Sequence, residues 1–354
     1  MAQPRKRLVS GVRPHGPLHL GLYTGVVRQW LKYQDEYECF FLIADIQALT
    51  THQERPEVIA TSVREVALDW LAAGIDPEKC RFVVQSQVPE LAELTVYLQM
   101  LVRTGELRQN PAMREEARAL GQRSLYEAVN EVDFGLLGYP VAQVADILLF
   151  TATPLREGDH LVVAVSEDQR PHVELARTVA RRFNEVYGRV FLEPEAEIAS
   201  VAPLPGIDGG YRMGKTKGNA IMLTDTEEEY ASKIRGMFTD PSRLKRTDAG
   251  HPETCACFAI LAALASDTRD VEQRRENCRA ARNDCEDCKE ELIGEVGRLL
   301  GPLQERRAAY ADDAGLLEDV LTDGTRRARE VAAETMEHVR RAMRLTYPGL
   351  IRKT

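Results

Sequence analysis

Two glycine-rich, cationic stretches are the first candidates for chemistry in this chain. The segment SGVRPHGPLHLGLYTG (10–25) follows a short apolar run and carries His19 just before a predicted helix. Such a turn directs backbone N–H groups and the positive helix end at an anion, and a histidine there can donate to phosphate oxygens. By itself it could equally be a glycine-rich turn with a packed histidine. The segment RMGKTKGN (212–219) combines three cations with two glycines, which is typical of a mobile loop.

Two polar clusters stand in otherwise apolar surroundings. In YPVAQVADILLF, Tyr139, Gln143 and Asp146 recur at i, i+4 and i+7, on one helical face. A carboxylate and an amide among apolar neighbours suit a half-apolar ligand that carries an N–H donor. The polar run SEDQ (166–169) directly follows the apolar run LVVAV (161–165), at the strand end where a parallel sheet binds ligands. Taken one at a time, either cluster could be a solvated loop or a helix cap.

Five of the seven cysteines fall in one stretch of the C-terminal half: Cys255, Cys257, Cys278, Cys285 and Cys288. The last two are separated by two residues, and Cys278 stands seven residues before Cys285, which is chelate spacing. Four thiolates in such a stretch suit a [4Fe–4S] cluster or a zinc ion. Scattered buried thiols are the alternative.

The pattern of apolar residues predicts the elements that must position these groups. Four apolar runs indicate buried strands, at 7–12, 39–44, 81–85 and 161–165, and amphipathic stretches between and after them indicate helices, at 21–36, 57–73, 90–104 and 172–187. Buried strands with intervening helices predict an α/β fold with a doubly wound parallel sheet. After residue 224 the chain reads as successive helices, with a capping box at its start. We therefore expect domains at 1–224 and 225–354.

Composition limits the class of protein. The 354 residues are 44% hydrophobic and 29% charged, which is ordinary for a globular protein. The net charge of −9 disfavours nucleic-acid binding by the whole surface, although it does not exclude a local basic face. The longest apolar run, CFAILAALA, is too short to span a bilayer, and the N-terminus lacks a signal-peptide core. We therefore expect a cytoplasmic protein that does not bind membranes, with cysteines present as thiols or metal ligands.

In combination, these segments resemble the bacterial tryptophanyl-tRNA synthetases, a family of class I aminoacyl-tRNA synthetases. The first loop is similar to the family's first ATP signature, usually His-Ile-Gly-His, and reads HLGL at 19–22. The second is similar to the signature Lys-Met-Ser-Lys-Ser and reads RMGKT at 212–216. YPVAQVADILLF and VSEDQRPHVELAR match the segments between them, in the family's order. The resemblance covers about residues 7 to 345.

The resemblance implies the reaction and the architecture. L-Tryptophan attacks ATP, with Mg²⁺ on the phosphates, to give tryptophanyl-adenylate, and the tryptophanyl group passes to tRNA(Trp). The second loop folds over ATP as a lid, and its lysines neutralise the departing pyrophosphate. A Rossmann-like catalytic domain (1–224) with a dimer-forming insertion (about 100–145) implies a homodimer. A helical anticodon-binding domain (225–354) sends its last helix back onto the catalytic domain.

The resemblance also implies roles for individual residues. The indole N–H acceptor maps to Asp146. The rest of the tryptophan pocket maps to Val9, Gln47, Tyr139, Gln143, Val163, Val165 and Gln169. ATP-binding positions map to Arg13, Gly21, Asp168, Met213 and Lys215. The catalytic group maps to His19, Arg212 and Lys215. Some members carry a [4Fe–4S] cluster on Cys-x22-Cys-x6-Cys-x2-Cys, which this chain reproduces at Cys255, Cys278, Cys285 and Cys288. Zinc or an empty site are the alternatives.

The chain departs from the family pattern at four positions near the expected site. Leu22 replaces a polar residue, His15 a small hydroxyl residue, Gly214 a serine in the lid, and Gln47 a histidine near the indole. These departures are consistent with a divergent or auxiliary copy. Two other functions stay open: a tyrosyl-tRNA synthetase-like enzyme, and a non-catalytic paralogue that binds tryptophan or a partner protein.

Overall fold

A parallel sheet stands at the centre of the chain. The computed structural model describes residues 4–111, 113–114, 133–198, 203–265 and 267–347. Its five strands are β1 (Lys6–Val12), β2 (Glu38–Ile43), β3 (Cys80–Val84), β4 (His160–Val165) and β5 (Glu195–Ile198). They are ordered β3-β2-β1-β4-β5, and every pair is parallel. The predicted doubly wound parallel sheet is confirmed.

Helices connect the strands and continue beyond the sheet. Three contiguous pieces, Leu20–Leu22, the π-helical Tyr23–Val27 and Arg28–Tyr33, form α1. In the sheet region follow α2 (Asp45–His52), α3 (Pro56–Ala73), α4 (Glu90–Gln99), α5 (Thr104–Gln109), α6 (Phe134–Leu148) and α7 (Arg170–Tyr187). The C-terminal helices are α8 (Glu227–Arg235), α9 (Ala256–Leu264), α10 (Thr268–Arg279), α11 (Cys285–Ala311) and α12 (Ala314–Ala342). Among the described residues, none of these helices combines the length and apolar character needed to cross a bilayer.

Both faces of the sheet are covered, because alternate strand residues enter two separate cores. Phe41 and Phe82 pack into one cluster, whereas Phe40 and Val83 pack into the other. All four predicted strands and the four predicted amphipathic helices are present. The fifth strand, β5, was missed because its sequence, EAEI, alternates charged residues with half-buried ones at the sheet edge and has no apolar run.

Aromatic stacking builds the first of these cores. The indole of Trp30 on α1 stacks on Phe41 with ring centroids 4.2 Å apart. Its edge meets Trp70 of α3 at 5.3 Å, and Trp70 in turn meets Phe82 at 5.2 Å. Both indoles are fully buried. The helices α1 and α3 are therefore fixed to the sheet by rings of high contact area.

The last helix lies against the outer strand β3. The Val84 N–H donates to Thr325 Oγ1 at 3.1 Å, and Arg327 Nη2 donates to the Pro77 carbonyl at 2.6 Å. The domain boundary at 224/225 stays a prediction. Of the expected dimer-forming segment, about 100–145, residues 112 and 115–132 lie outside the described residues.

The contact between α12 and β3 predicts the effect of one substitution. A Cβ at Gly324 would lie 2.6 Å from the Phe82 carbonyl oxygen and 2.7 Å from its nitrogen. Gly324→Ala must push the helix off the strand, and overpacking of this kind costs about 1–3 kcal/mol. We expect a lower melting temperature in calorimetry. The control is Gly294→Ala on α11, where a Cβ meets nothing within 4 Å. Equal melting temperatures for both variants would contradict this close approach.

Candidate active site

The first glycine-rich loop connects β1 to α1 and is held from beneath by α3. The Gly16 N–H donates to Ser62 Oγ at 2.7 Å, and the Leu18 N–H donates to Asp69 Oδ2 at 2.5 Å. Gly16 has φ +92°, a conformation that favours glycine. Neither Ser62 nor Asp69 was found by sequence reasoning, because on α3 they read as ordinary members of an amphipathic helix.

His19 stands at the start of α1 as a neutral imidazole. Its Nδ1 accepts from the Leu22 N–H at 3.3 Å. Burial lowers the pKa of His19 to about 4, and the charges of Lys215 and Arg212 contribute to that shift. A neutral ring that accepts at Nδ1 carries its proton on Nε2, so Nε2 is the donor. His19 can therefore donate a hydrogen bond to an anion without itself being charged. A Cβ at Gly21 would lie 3.2 Å from Nδ1, so glycine keeps this ring in place.

The second loop lies directly over the first. The Leu20 N–H donates to the Ile221 carbonyl at 2.8 Å, which joins the start of α1 to the segment that follows the lid. Lys215 Nζ donates to the Gly16 carbonyl at 2.7 Å. Burial lowers the pKa of Lys215 to about 8, while the carboxylate of Asp69 opposes that shift. The predicted irregular loop contains one 3₁₀ turn, Lys215–Lys217, and otherwise lacks regular structure.

Asp168 gathers polar groups at the end of β4. It accepts from Ser166 Oγ at 2.6 Å, from Gln169 Nε2 at 2.9 Å and from Arg212 Nη1 at 2.5 Å. Burial acts to raise the pKa of Asp168, but these donors and the Arg212 charge hold it below its usual range. Asp168 and Arg212 are 44 residues apart in the chain. Their contact joins the SEDQ run after β4 to the second loop, so the two segments form one polar wall.

An apolar region with one buried carboxylate lies beside this wall. Val9, Val163 and Tyr139 belong to one core cluster, and Val165 packs against it. Asp146, on α6 with Tyr139, is buried, and burial raises the pKa of its carboxyl to about 7.

Two glutamines orient the Asp146 carboxylate. Gln47 Nε2 donates to Oδ2, and Gln85 Nε2 donates to Oδ1 at 2.7 Å. The Gln85 amide oxygen in turn accepts from the Gln47 N–H at 3.2 Å, which fixes which end of that side chain faces Asp146. The sequence does not single out Gln85, because it stands at the end of the apolar run RFVVQ, whose pattern indicates only a strand.

His172 joins the two halves of the site and was also missed. Its Nε2 lies 3.5 Å from the Tyr139 hydroxyl, and the Arg13 guanidinium lies 5.9 Å from the Tyr139 ring centroid. Burial and the Arg13 charge lower the pKa of His172 to about 4, so it is neutral. Gln143 is half-buried on α6, between Tyr139 and Asp146 in the chain.

The predicted metal ligands Cys255, Cys278, Cys285 and Cys288 line one small pocket, together with Cys257. Burial raises the pKa of Cys288 to about 12, and the neighbouring thiols of Cys278, Cys255 and Cys285 contribute to that shift. In the part of the chain that the structure describes, however, no three His, Cys, Asp or Glu side chains are grouped as metal ligands. The structure therefore does not support the predicted iron–sulfur or zinc site.

The arrangement is suited to a ligand with an anionic end and a planar apolar end. His19, Arg212 and Lys215 supply donors and positive charge at one side. Val9, Val163 and Tyr139 supply apolar surface at the other, and Asp146 can accept one N–H there. Both sides lie at the carboxyl ends of central parallel strands, the usual ligand position in this architecture.

Comparison with known proteins gives a consistent result. The family model described as tRNA synthetases class I (W and Y) matches residues 1–301. The tryptophan–tRNA ligase of Thermotoga maritima is 42% identical over 342 residues, covering 96% of this chain and 100% of the relative. That of Aquifex aeolicus is 37% identical over 402 residues, with coverage of 96% and 100%. The structure of Campylobacter jejuni tryptophanyl-tRNA synthetase complexed with ADP and tryptophan superimposes with a TM-score of 0.76, at 29% identity, covering 95% of this chain and 99% of that one.

Proposed function

Because the chain belongs to the class I tRNA synthetases for tryptophan and tyrosine, we propose that it joins L-tryptophan to tRNA(Trp) in an ATP-dependent reaction. It is a tryptophan–tRNA ligase, like the relatives that it matches along nearly its whole length. The tryptophan carboxylate attacks the α-phosphorus of ATP, which forms tryptophanyl-adenylate and releases pyrophosphate. A ribose hydroxyl at the end of the tRNA then takes the tryptophanyl group. The observation that carries this assignment is a buried N–H acceptor beside a cationic lid.

The polar side of the site acts on ATP. The attacking carboxylate is already a nucleophile, so activation needs positioning and charge stabilisation and no general base. His19 donates through Nε2 to a phosphate oxygen, while Arg212 and Lys215 offset the charge that grows on the leaving pyrophosphate. Mg²⁺ on the phosphates adds to that charge compensation. Arg13, Gly21, Asp168 and Met213 complete the ATP site, with Asp168 holding Arg212 in place.

The apolar side receives the indole. Asp146 accepts the indole N–H, and Gln47 and Gln85 hold its carboxylate in the required orientation. The remaining contacts to tryptophan come from Val9, Tyr139, Gln143, Val163, Val165 and Gln169. Gln47 donates an amide N–H to Asp146, as a neutral histidine at this position could. Replacement of the family's histidine by Gln47 therefore keeps the acceptor oriented.

The decisive experiment is ATP–pyrophosphate exchange with each amino acid in turn. Exchange that depends on tryptophan, and not on tyrosine, is the expected result. Exchange that depends on tyrosine would favour a tyrosyl-tRNA synthetase-like enzyme. No exchange with any amino acid would favour the non-catalytic paralogue. A panel of substituted tryptophans in the same assay tests whether this is an auxiliary copy that prefers a modified indole.

The high pKa of Asp146 predicts a pH-dependent affinity for tryptophan. An indole N–H favours the ionised carboxylate, so binding lowers the Asp146 pKa from about 7 and releases a proton when the pH is below that value. Affinity should therefore fall as the pH is lowered, by up to about tenfold between pH 8 and pH 6. Isothermal titration without ATP measures it. Asp146→Asn should bind more weakly and without this pH dependence; a pH-independent wild type would contradict the role of Asp146.

The proposed closure of the second loop over ATP predicts that replacement of Lys215 changes the exchange rate and not the affinity for tryptophan. Charge builds on pyrophosphate only as the P–O bond breaks, so a lysine at that oxygen stabilises the transition state more than the ground state. Lys215→Ala should lower the exchange rate by about 10²–10³, as does loss of one preorganised donor, and leave tryptophan affinity unchanged. Lys217→Ala, an exposed lysine of the same loop, is the matched control. Equal losses in the two variants would indicate a general effect of loop charge.

We further propose that Cys255, Cys278, Cys285 and Cys288 hold a [4Fe–4S] cluster, with zinc as the alternative. The described structure does not group the four thiols as metal ligands, so the proposal rests on their spacing, on the pocket that all four line, and on Gly250, where a Cβ would approach Cys278 Sγ to 2.5 Å. Donors also reach the sulfurs, because Asn283 Nδ2 lies 3.3 Å from Cys288 Sγ. Bound there, the cluster would brace the helical region that reads the tRNA anticodon.

Anaerobic purification tests the cysteine proposal. Wild-type protein should contain iron and sulfide and absorb broadly near 400 nm. Cys285→Ser should lose the iron and depress tRNA charging more than adenylate formation, whereas Cys257→Ser, in the same cavity, should keep the iron. Anaerobic wild type without iron and sulfide would refute the cluster, and zinc in their place would support the alternative.

Two further expectations accompany this function. The enzyme acts as a homodimer, joined through the segment at about 100–145. It works in the cytoplasm, where tRNA(Trp) and ATP are found. Sedimentation velocity at micromolar concentration tests the first.

A further inference from the structure

A buried carboxylate is shared between the nucleotide loop and the C-terminal helices. Asp69 of α3 has no exposed surface. One oxygen accepts the Leu18 N–H at 2.5 Å, and the other accepts Arg307 Nε of α11 at 2.7 Å. Arg307 also contacts Glu65, one turn earlier on α3, through Nη2. Asp69 thus connects a loop near the N-terminus with a helix near the C-terminus.

The helix α3 supports the loop at two points on one face. Ser62 and Asp69, seven residues apart, receive the N–H groups of Gly16 and Leu18. The Gly16 carbonyl, in turn, receives Lys215 Nζ at 2.7 Å. Any displacement of the Asp69 carboxylate therefore moves the loop that positions the lid lysine.

The end of α11 is attached to the same region by neighbouring side chains. Arg306 Nε donates to the Ala72 carbonyl of α3 at 2.7 Å. Gln304 Nε2 donates to the carbonyls of Leu223 and Asp225, both at 2.9 Å, directly after the lid. These contacts fix the position of Arg307 along α3. The direction of its guanidinium is therefore set by the attachment of α11 as well as by Asp69.

Arg307 determines the orientation of the Asp69 carboxylate, because it supplies the cation with which this buried carboxylate pairs. A buried carboxylate needs a cation, and loss of one partner from a buried pair leaves an uncompensated charge that rearranges or takes up a proton. We propose that Arg307 is a positioning residue for tryptophan activation: it orients Asp69, which holds the Leu18 N–H and with it the loop whose Gly16 carbonyl receives Lys215 Nζ. This inference rests on the tryptophan activation proposed above. It assigns a helix of the C-terminal region a part in the first step of the reaction.

Kinetics of Arg307 variants test the proposal. Arg307→Met should lower kcat/KM for ATP in tryptophan-dependent exchange by about 10–100-fold per active site, because small misplacements of reacting groups have effects of this size. Active-site titration supplies the number of sites. Tryptophan affinity without ATP, measured by calorimetry, should stay within about twofold of wild type, because the indole side of the site does not contact Asp69 or Arg307. Arg307→Lys restores the charge and should recover most of the loss.

A double variant distinguishes a loss of loop positioning from a loss of folding stability. Asp69→Asn/Arg307→Met removes both charges of the buried pair and still offers Leu18 an amide oxygen, while Glu65, the other partner of Arg307, keeps 29% of its side chain exposed to water. The double variant should therefore unfold near the wild-type temperature. We expect its kcat/KM for ATP to stay low, because no cation directs the amide that replaces the carboxylate. Arg298→Ala on the same helix, at a side chain 71% exposed, is the control and should behave as wild type.

The outcomes are distinct. Wild-type kcat/KM in the folded double variant, or a loss in tryptophan affinity equal to the loss for ATP, would overturn the proposal. Absence of exchange in the wild type would instead sink tryptophan activation itself.

Discussion

The parallel pairing of β1 with β4 is the constraint on which the site depends. Along the sheet, strand order reverses at β1, so the connections from β1 and β4 leave toward opposite faces and open a crevice between them. Val9 pairs with Val163, and Ser10 Oγ donates to the Ala164 carbonyl at 2.5 Å, which fixes the register. A shift of one residue would turn the apolar side chains of one strand away from those of the other. The glycine-rich loop and the SEDQ run would then no longer face the same ligand.

Burial distributes charge in this site in a consistent manner. His19 and His172 are kept neutral because their rings are removed from water and lie near arginine and lysine. Positive charge is supplied by Arg212 and Lys215 of the second loop and by Arg13 of the first. The two imidazoles thus offer oriented dipoles, and the arginines and the lysine supply the positive charge. In the proposed reaction, the charges of Arg212 and Lys215 arrive as the second loop closes over ATP, and product leaves when that loop opens.

The sequence predicted the fold class and four of the five strands because buried runs and helical periods are local signals. It also identified His19, Asp146, Asp168 and Lys215 as candidate site residues, since each stands beside a glycine turn, within an apolar segment or shortly after an apolar strand. Whether every predicted residue contacts substrate stays a prediction. Gln85, Asp69 and His172 could not be found in this manner, because their importance comes from partners 61, 51 and 33 residues away. The cysteine spacing predicted a metal site that the described geometry does not support.

The edge-to-face pair Trp30 and Trp70 has a consequence for spectroscopy. They are the chain's two tryptophans, and both indole N–H groups lack an acceptor within the described part of the structure. Indoles without polar partners emit at the blue end of their range, and these two rings lie edge to face with their centroids 5.3 Å apart. Trp70 directly follows Asp69 in α3, so its emission reports on the helix beneath the nucleotide loop. Because the chain has no further tryptophan, its own indole emission comes from these two buried rings alone, and a change in that emission reports on the packing of α1 and α3 against the sheet.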